Sequence, residues 1–122
     1  MKPTIRFFFK DDYLMVSEWW NAHGFPPVPQ AILPRLGVVA ELDGSPIAAA
    51  WLYMDNSGGV SMMEWLVTNP VNRPKDSFRA ISTIVDFLGE EAVANGYGVM
   101  LTTCKQLSLA KVFERTGFQK TD

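Results

Sequence analysis

The period of the apolar positions changes several times along the chain, and each change marks an element boundary. Thr4 to Phe9 is β-branched and aromatic, the composition of a first strand. Tyr13, Val16, Trp19 and Trp20 then recur at helical spacing behind Asp11 and Asp12, whose carboxylates suit the positive end of a helix dipole. His23-Gly24 ends that segment. Phe25 to Gln30 holds three prolines, which excludes a regular element before a short turn at Gln30 to Leu33, closed by Pro34. Such a rigid, aromatic-flanked loop is either a lid over a pocket or plain packing. Leu36 to Leu42 and Pro46 to Met54 are apolar runs separated by Asp43-Gly44-Ser45, and Asp-Gly between such runs signals a hairpin. Asn56 to Gly59 is a second turn and Met62 to Val67 a further strand. Strands two, three and four therefore form an antiparallel meander.

The second half changes character. Phe78, Ile81, Ile84, Val85, Leu88, Ala92 and Val93 recur at three- and four-residue steps, the signature of a long amphipathic helix. Asp76 or Ser77 can cap its first turn, and Gly96 supplies its stop. A strand from Gly98 to Thr103 and a last helix from about Ser108 to Arg115 follow; Gly117 ends that helix and lets Phe118 fold back onto the core. The order β-α-α-β-β-β-α-β-α describes one α/β (α+β) domain over residues 1–122 with a mixed sheet. No internal repeat, low-complexity tract or linker interrupts it.

Composition narrows the function classes. The chain has 122 residues, 48 % of them apolar and 20 % charged, enough for a real core. Its net charge of −2 sets up no field that attracts nucleic acid. Cys104 and His23 are each the only residue of their type, which excludes an intrachain disulfide and the usual Cys/His metal site; no metal is expected. The stretch after Met1 lacks a signal-peptide h-region, and no apolar run approaches the roughly 20 residues of a membrane span. The expectation is a cytoplasmic protein with no membrane partner.

Two stretches carry candidate chemistry. Arg73, Lys75 and Arg79 surround the start of the long helix, where free N–H groups and the dipole favour a phosphate or another anion. The alternative is a solvated helix start with ordinary surface charge. Glu64 lies in an apolar strand, where an acid needs a reason because burying an unpaired charge is costly. With Met63, Trp65 and Val67 on one face, Glu64 shares the other with Leu66. It is either a general base or a rim residue paired with a cation. His23 is a second candidate base, since its unperturbed pKa lies near neutrality; a helix-end histidine satisfying terminal carbonyls is the alternative. Cys104 reads as a packed small side chain, and Ser108 as a helix cap or a proton donor. Trp19, Trp20, Phe25, Trp51, Tyr53 and Trp65 are core or, in part, the wall of an acceptor site facing Pro26-Pro27.

The element order, with two local patterns, resembles the GNAT-type N-acyltransferases over nearly the whole chain. The first pattern is Glu64-Trp65-Leu66-Val67-Thr68-Asn69-Pro70-Val71-Asn72-Arg73, similar to the family's central strand and the turn that follows it. The second is Leu109-Ala110-Lys111-Val112-Phe113-Glu114-Arg115-Thr116-Gly117-Phe118, similar to its final helix with a Tyr-Glu-Lys-Leu-Gly-Phe ending. The resemblance implies transfer of an acetyl group from acetyl-CoA, a co-substrate, to an amine acceptor. The pantetheine arm would lie in a gap where strands four and five part at Val67, against the backbone of Leu66, Val67 and Thr68. Backbone N–H of Val67 or Thr68 would polarise the thioester. The pyrophosphate would sit from Arg73 through Lys75, Asp76, Ser77 and Phe78 to Arg79. Gln106 stands where the family often has an Asn touching the cofactor arm, and Glu64 where it often has a glutamate acting through water.

Three departures accompany the resemblance. The family's phosphate loop has two glycines that let the backbone approach the pyrophosphate, and larger residues replace both here. Pro74 removes a donor and Asp76 brings negative charge to an anion's place, which Lys75 and Arg79 could offset. Phe113 replaces the tyrosine that often protonates the departing thiolate. Only Gln119 to Asp122 follow Phe118, so the family's C-terminal hairpin is expected to be shortened or missing. The Gly98 to Thr103 strand is then an exposed edge, to be covered by a homodimer or by residues 118–121 of the same chain. A GNAT-fold module that has lost turnover and contacts a macromolecular partner is the alternative function.

Overall fold

The chain opens with β1 (Thr4–Phe7), which pairs antiparallel with β2 (Leu36–Leu42). Antiparallel pairing continues from β2 to β3 (Ser45–Met54) and from β3 to β4 (Val60–Thr68), whereas β5 (Val99–Thr102) runs parallel to β4. The sheet order is β1-β2-β3-β4-β5. Three α-helices accompany it: α1 (Tyr13–Ala22), α2 (Pro74–Ala94) and α3 (Leu107–Arg115), with short 3-10 turns at Lys10–Asp12 and Gln30–Ile32. This is a computed structural model, and it describes residues 2–56, 58–103 and 107–119. The α/β architecture and element order agree with the sequence reading, and among the described residues no strand follows α3. No helix among them is long and apolar enough to cross a membrane.

Both faces of the sheet are covered, which is why β2 and β3 read as unbroken apolar runs. Alternate side chains serve opposite layers. Val38, Ala40, Ala48, Ala50, Leu52 and Met63 pack beneath Ala80, Ile81, Ile84, Val85 and Leu88 of α2 and Phe113 of α3. Val39, Ala49, Trp51 and Val67 pack on the other face against Val16, Trp19 and Trp20 of α1 and Val28. The Trp51 ring meets Phe8 edge-on at 5.0 Å and Trp20 at 5.6 Å. It also crosses Gly37, where an added Cβ would lie 2.4 Å from the indole, so only glycine fits opposite this tryptophan.

Local signals decide the turns. Asp43 and Gly44 both have positive φ, 53° and 80°, as a two-residue type I′ hairpin requires. Gly96, at φ 90°, ends α2, and the Tyr97 N–H returns to the Ala92 carbonyl. Phe118 folds back as expected: its N–H bonds the Phe113 carbonyl and the two rings meet at 5.4 Å.

Several boundaries differ from expectation. β1 stops at Phe7 because the Asp12 carboxylate captures the Phe9 N–H and Lys10–Asp12 turns, so α1 begins at Tyr13. α2 begins at Pro74, with Arg73 as N-cap and no side-chain cap; Asp76 and Ser77 lie within the first turn instead. Proline is preorganised for the first helical position and has no N–H to leave unpaired. The expected face assignment in β4 also fails: Met63 is buried on the α2 side and Val67 on the α1 side.

Arg6 ties the sheet edge to the start of α1. Its guanidinium donates to both carboxylate oxygens of Asp12 at 2.9 Å and to Glu41 at 2.8 Å. These bonds hold the Asp12 carboxyl below the usual aspartate range against the opposing effect of burial. A lowered folded-state value stabilises the fold fully above the unfolded value of 3.8, and the contribution vanishes as pH falls through the lowered one. Asp12→Asn is therefore expected to cost about 1 kcal/mol at neutral pH. Urea unfolding should show the difference from the parent closing on acidification; a difference independent of pH would contradict the assignment.

Candidate active site

The site begins with one extra residue in β4. Ala49 faces Val67 and Trp51 faces Glu64, so two steps of β3 oppose three of β4. Trp65 is the bulged residue, with φ 63°. Its indole N–H donates to the Tyr53 hydroxyl at 2.9 Å, and that hydroxyl donates to the Ile32 carbonyl at 2.7 Å. The bulge reverses the parity of the strand, which explains why Met63 and Val67 point to opposite faces.

β5 follows β4 only from Val60↔Val99 to Met63↔Thr102. β5 ends at Thr102, so pairing with β4 stops before Glu64 rather than at the expected Val67. A cavity of about 460 Å³ occupies the opening. Residues 64–68 of β4, Thr102 and Thr103 form one side, and Ile81, Leu109 and Phe113 the helical side. Trp20, His23, Phe25, Pro26 and Val28 close the third. A more open groove of about 620 Å³ lies between the second half of α2 and Phe118, away from both candidate bases.

Glu64 and His23 line the same cavity. The half-buried Glu64 carboxylate accepts from the Thr103 N–H at 3.2 Å and the Thr103 hydroxyl at 3.1 Å, spanning the parted strand ends. Among the described residues it pairs with no cation. His23 caps α1 through its backbone, while its ring reaches across to β4: Nε2 lies 2.9 Å from the Thr68 carbonyl and 3.3 Å from the Thr68 hydroxyl. A carbonyl only accepts, so Nε2 carries the hydrogen and Nδ1 of the neutral ring keeps its lone pair. The ring therefore serves a distant strand, not the terminal carbonyls of its own helix.

The loop after β4 is fixed by two asparagines that sequence reasoning passed over. The Asn69 N–H and the Asn72 side chain both donate to the Ile47 carbonyl, at 2.9 and 2.8 Å. Asn69 Oδ1 accepts from the Val71 N–H at 3.2 Å, and the Asn72 amide reaches Ser77 Oγ at 3.1 Å. The recurrence of Asn around Pro70 was the available signal, because Asn side chains mimic backbone in turns.

At the start of α2, Lys75 is exposed and Arg73 largely so, but Asp76 is only 8 % exposed. One Asp76 oxygen meets Arg73 Nε at 3.0 Å, and the other is buried with no hydrogen-bond partner among the described residues. A carboxylate thus sits beside the helix terminus that an anion would use. Arg115, at the end of α3, lies 4.4 Å above the Phe78 ring and brings a cation to this region that the linear pattern did not reveal. Leu66 packs toward the α2 side and Arg79 is exposed in the second turn. Phe113 is 4 % exposed and presents no hydroxyl to the cavity. Cys104, Gln106 and the Ser108 side chain lie outside the described residues. Among the described residues no group of three or more His, Cys, Asp or Glu side chains could hold a metal ion.

No protein-family model matches the chain, and no curated protein matches it in sequence. Solved structures do. A ribosomal-protein-S18-alanine N-acetyltransferase from Escherichia coli aligns over 98 % of this chain and 79 % of its own, with TM-score 0.76 and 15 % identity. An N-acetyltransferase from Staphylococcus aureus Mu50 aligns over 98 % and 84 %, with TM-score 0.72 and 16 % identity. A transcriptional regulator from Bacillus halodurans C-125 aligns over 98 % and 95 %, with TM-score 0.72 and 16 % identity. An N-acetylglutamate synthase from Neisseria gonorrhoeae, complexed with coenzyme A and N-acetyl-glutamate, matches all of this chain with 29 % of its own, at TM-score 0.70 and 17 % identity. Identity this low carries the backbone and not the chemistry: the mixed sheet with its strand order and flanking helices has the GNAT-like fold of these structures.

Proposed function

We propose that the protein is an acyl-CoA-dependent N-acyltransferase that moves an acetyl group from acetyl-CoA to an amine. The observation that carries this reading is the opening between β4 and β5, which starts at Glu64 and has both candidate bases on its wall. An extended thioester arm fits such an opening, because unpaired strand backbone offers amide partners along its length. Glu64, or His23 through Nδ1, takes a proton from the ammonium. The freed amine attacks the thioester carbonyl; the new C–N bond forms, the C–S bond breaks, and the proton that the nitrogen sheds balances the one taken up by the departing thiolate. Backbone N–H of Val67 or Thr68 would stabilise the oxyanion. Arg73, Lys75 and Arg79 would meet the pyrophosphate, and Gln106 the cofactor arm.

A second reading has its own support. The buried Asp76 at the start of α2 and a phenylalanine at position 113 suit a binding module without turnover. Titration with acetyl-CoA and desulfo-CoA, followed by the four tryptophans and by melting temperature, separates the two. Acyl-CoA binding should raise stability by about 2.7 kcal/mol at a hundredfold excess over Kd. No shift at millimolar ligand would favour the binding module. Where binding is seen, Glu64→Gln is expected to lower turnover by about 10²- to 10⁴-fold with little change in CoA affinity. Unchanged turnover would move the base to His23.

Asp76 makes a separate, signed prediction. If phosphate sits at the start of α2, Asp76→Asn removes a repelling charge and should tighten CoA binding several-fold. The same change loses the Arg73 pair and a favourable dipole contact, so the free protein should be about 0.5–1 kcal/mol less stable. Weaker CoA binding would place the phosphates elsewhere. At the sheet edge, Val99 and Leu101 of β5 are 48 % and 43 % exposed. The homodimer reading predicts twice the monomer mass in light scattering at micromolar concentration; a monomeric mass removes it.

A further inference from the structure

We infer that the acceptor is an ammonium carried on an apolar or aromatic body with no acidic group of its own. This inference rests on the acyl-transfer reading and names the substrate class of the same cavity. It comes from the charge inventory of the wall. Among the described residues lining the cavity, His23 and Glu64 are the only titratable ones, and no Lys or Arg reaches it. Among the described residues, a carboxylate or phosphate on the acceptor would therefore face Glu64 with no cation opposite. An ammonium would meet a carboxylate that has no basic partner among those residues.

Hydrogen-bond donors on the wall are largely engaged as well. The Thr102 hydroxyl donates to the Met63 carbonyl at 2.8 Å, the Thr103 hydroxyl to Glu64, and the Trp65 indole to Tyr53. His23 Nε2 is taken by Thr68. An acceptor rich in acid or hydroxyl groups would find few donors here, and polar groups left unpaired against an apolar wall are costly.

What remains is a hydrophobic surface held in place before any ligand arrives. Trp20, Phe25, Pro26 and Val28 supply it. The Tyr13 hydroxyl donates to the Val28 carbonyl at 2.7 Å and the Phe25 N–H to the Trp20 carbonyl at 2.9 Å, while Pro26, Pro27 and Pro29 restrict the chain between. A preorganised wall spends little binding energy on ordering, and aromatic rings beside an ammonium add cation–π attraction.

The test uses the full chain and tryptophan fluorescence, because Trp20 and Trp65 both line the cavity. The probes are 2-phenylethylamine, hexylamine, phenylalanine and spermidine. An apolar amine, aryl or alkyl, is expected to bind about tenfold tighter than phenylalanine or spermidine. Glu64→Gln should narrow the gap between 2-phenylethylamine and phenylalanine, because charge sets it. Phe25→Ala should weaken the apolar amines several-fold while leaving the CoA-induced melting shift in place. Equal or tighter binding of phenylalanine or spermidine overturns the inference. Quenching by none of the amines, in a protein that binds acetyl-CoA, also overturns it and leaves acyl transfer standing. Amine binding without CoA binding sinks acyl transfer and, with it, the assignment of the amine as an acceptor.

Discussion

One additional residue in β4 governs the functional half of this molecule. Holding Trp65 at positive φ costs of the order of 1–3 kcal/mol for a non-glycine residue, and such strain persists only when its surroundings fix it. Here the ladder resumes on both sides of the bulge, and the indole is bonded to Tyr53, itself bonded to the Ile32 carbonyl. The extra residue changes which face each later side chain serves. Met63 belongs to the α2 layer, whereas Val67, four positions on, belongs to the α1 layer. The bulge also falls where β5 leaves β4, so the cavity opens at the point where pairing is already interrupted.

The rest of the sheet supplies the rigidity that makes such a local defect tolerable. Ala48, Ala49 and Ala50 are all fully buried in β3, small residues that let layers pack closely on both sides. Trp51, lodged against Gly37 between Phe8 and Trp20, fixes α1 to the sheet. α1 in turn places His23 at its end, over Thr68. The cavity wall is thus continuous with the core, and its aromatic residues serve packing and lining together.

Charge at the start of α2 distinguishes this chain from a simple anion cradle. A helix N-terminus attracts negative charge whether it arrives as a ligand or as a side chain, and Asp76 is a resident carboxylate. Arg73 partners one of its oxygens, and the other is buried with no hydrogen-bond partner among the described residues. Arg115 of α3, over the Phe78 ring, adds a further cation to this region.

Much of the architecture could be read directly from the chain, because its signals act over a few residues. Asp43-Gly44 forces a hairpin through its backbone preferences, the apolar spacing from Phe78 to Val93 defines one long helix, and Gly96 stops it. The element order, with the Glu64 to Arg73 pattern and the Leu109 to Phe118 ending together, suggests the fold. The cap of α2 is Arg73 rather than Asp76 or Ser77, because Pro74, two residues before Asp76, already fits the first helical position. Tertiary structure alone decided the rest: the bulge at Trp65, the point at which β5 departs, the contact of His23 with Thr68 and that of Glu64 with Thr103. Each depends on residues 39 to 45 positions apart or on the register between strands. Local preference specifies which element a segment forms; how two elements align is settled by the packing of all the side chains between them, and no short window of sequence contains that.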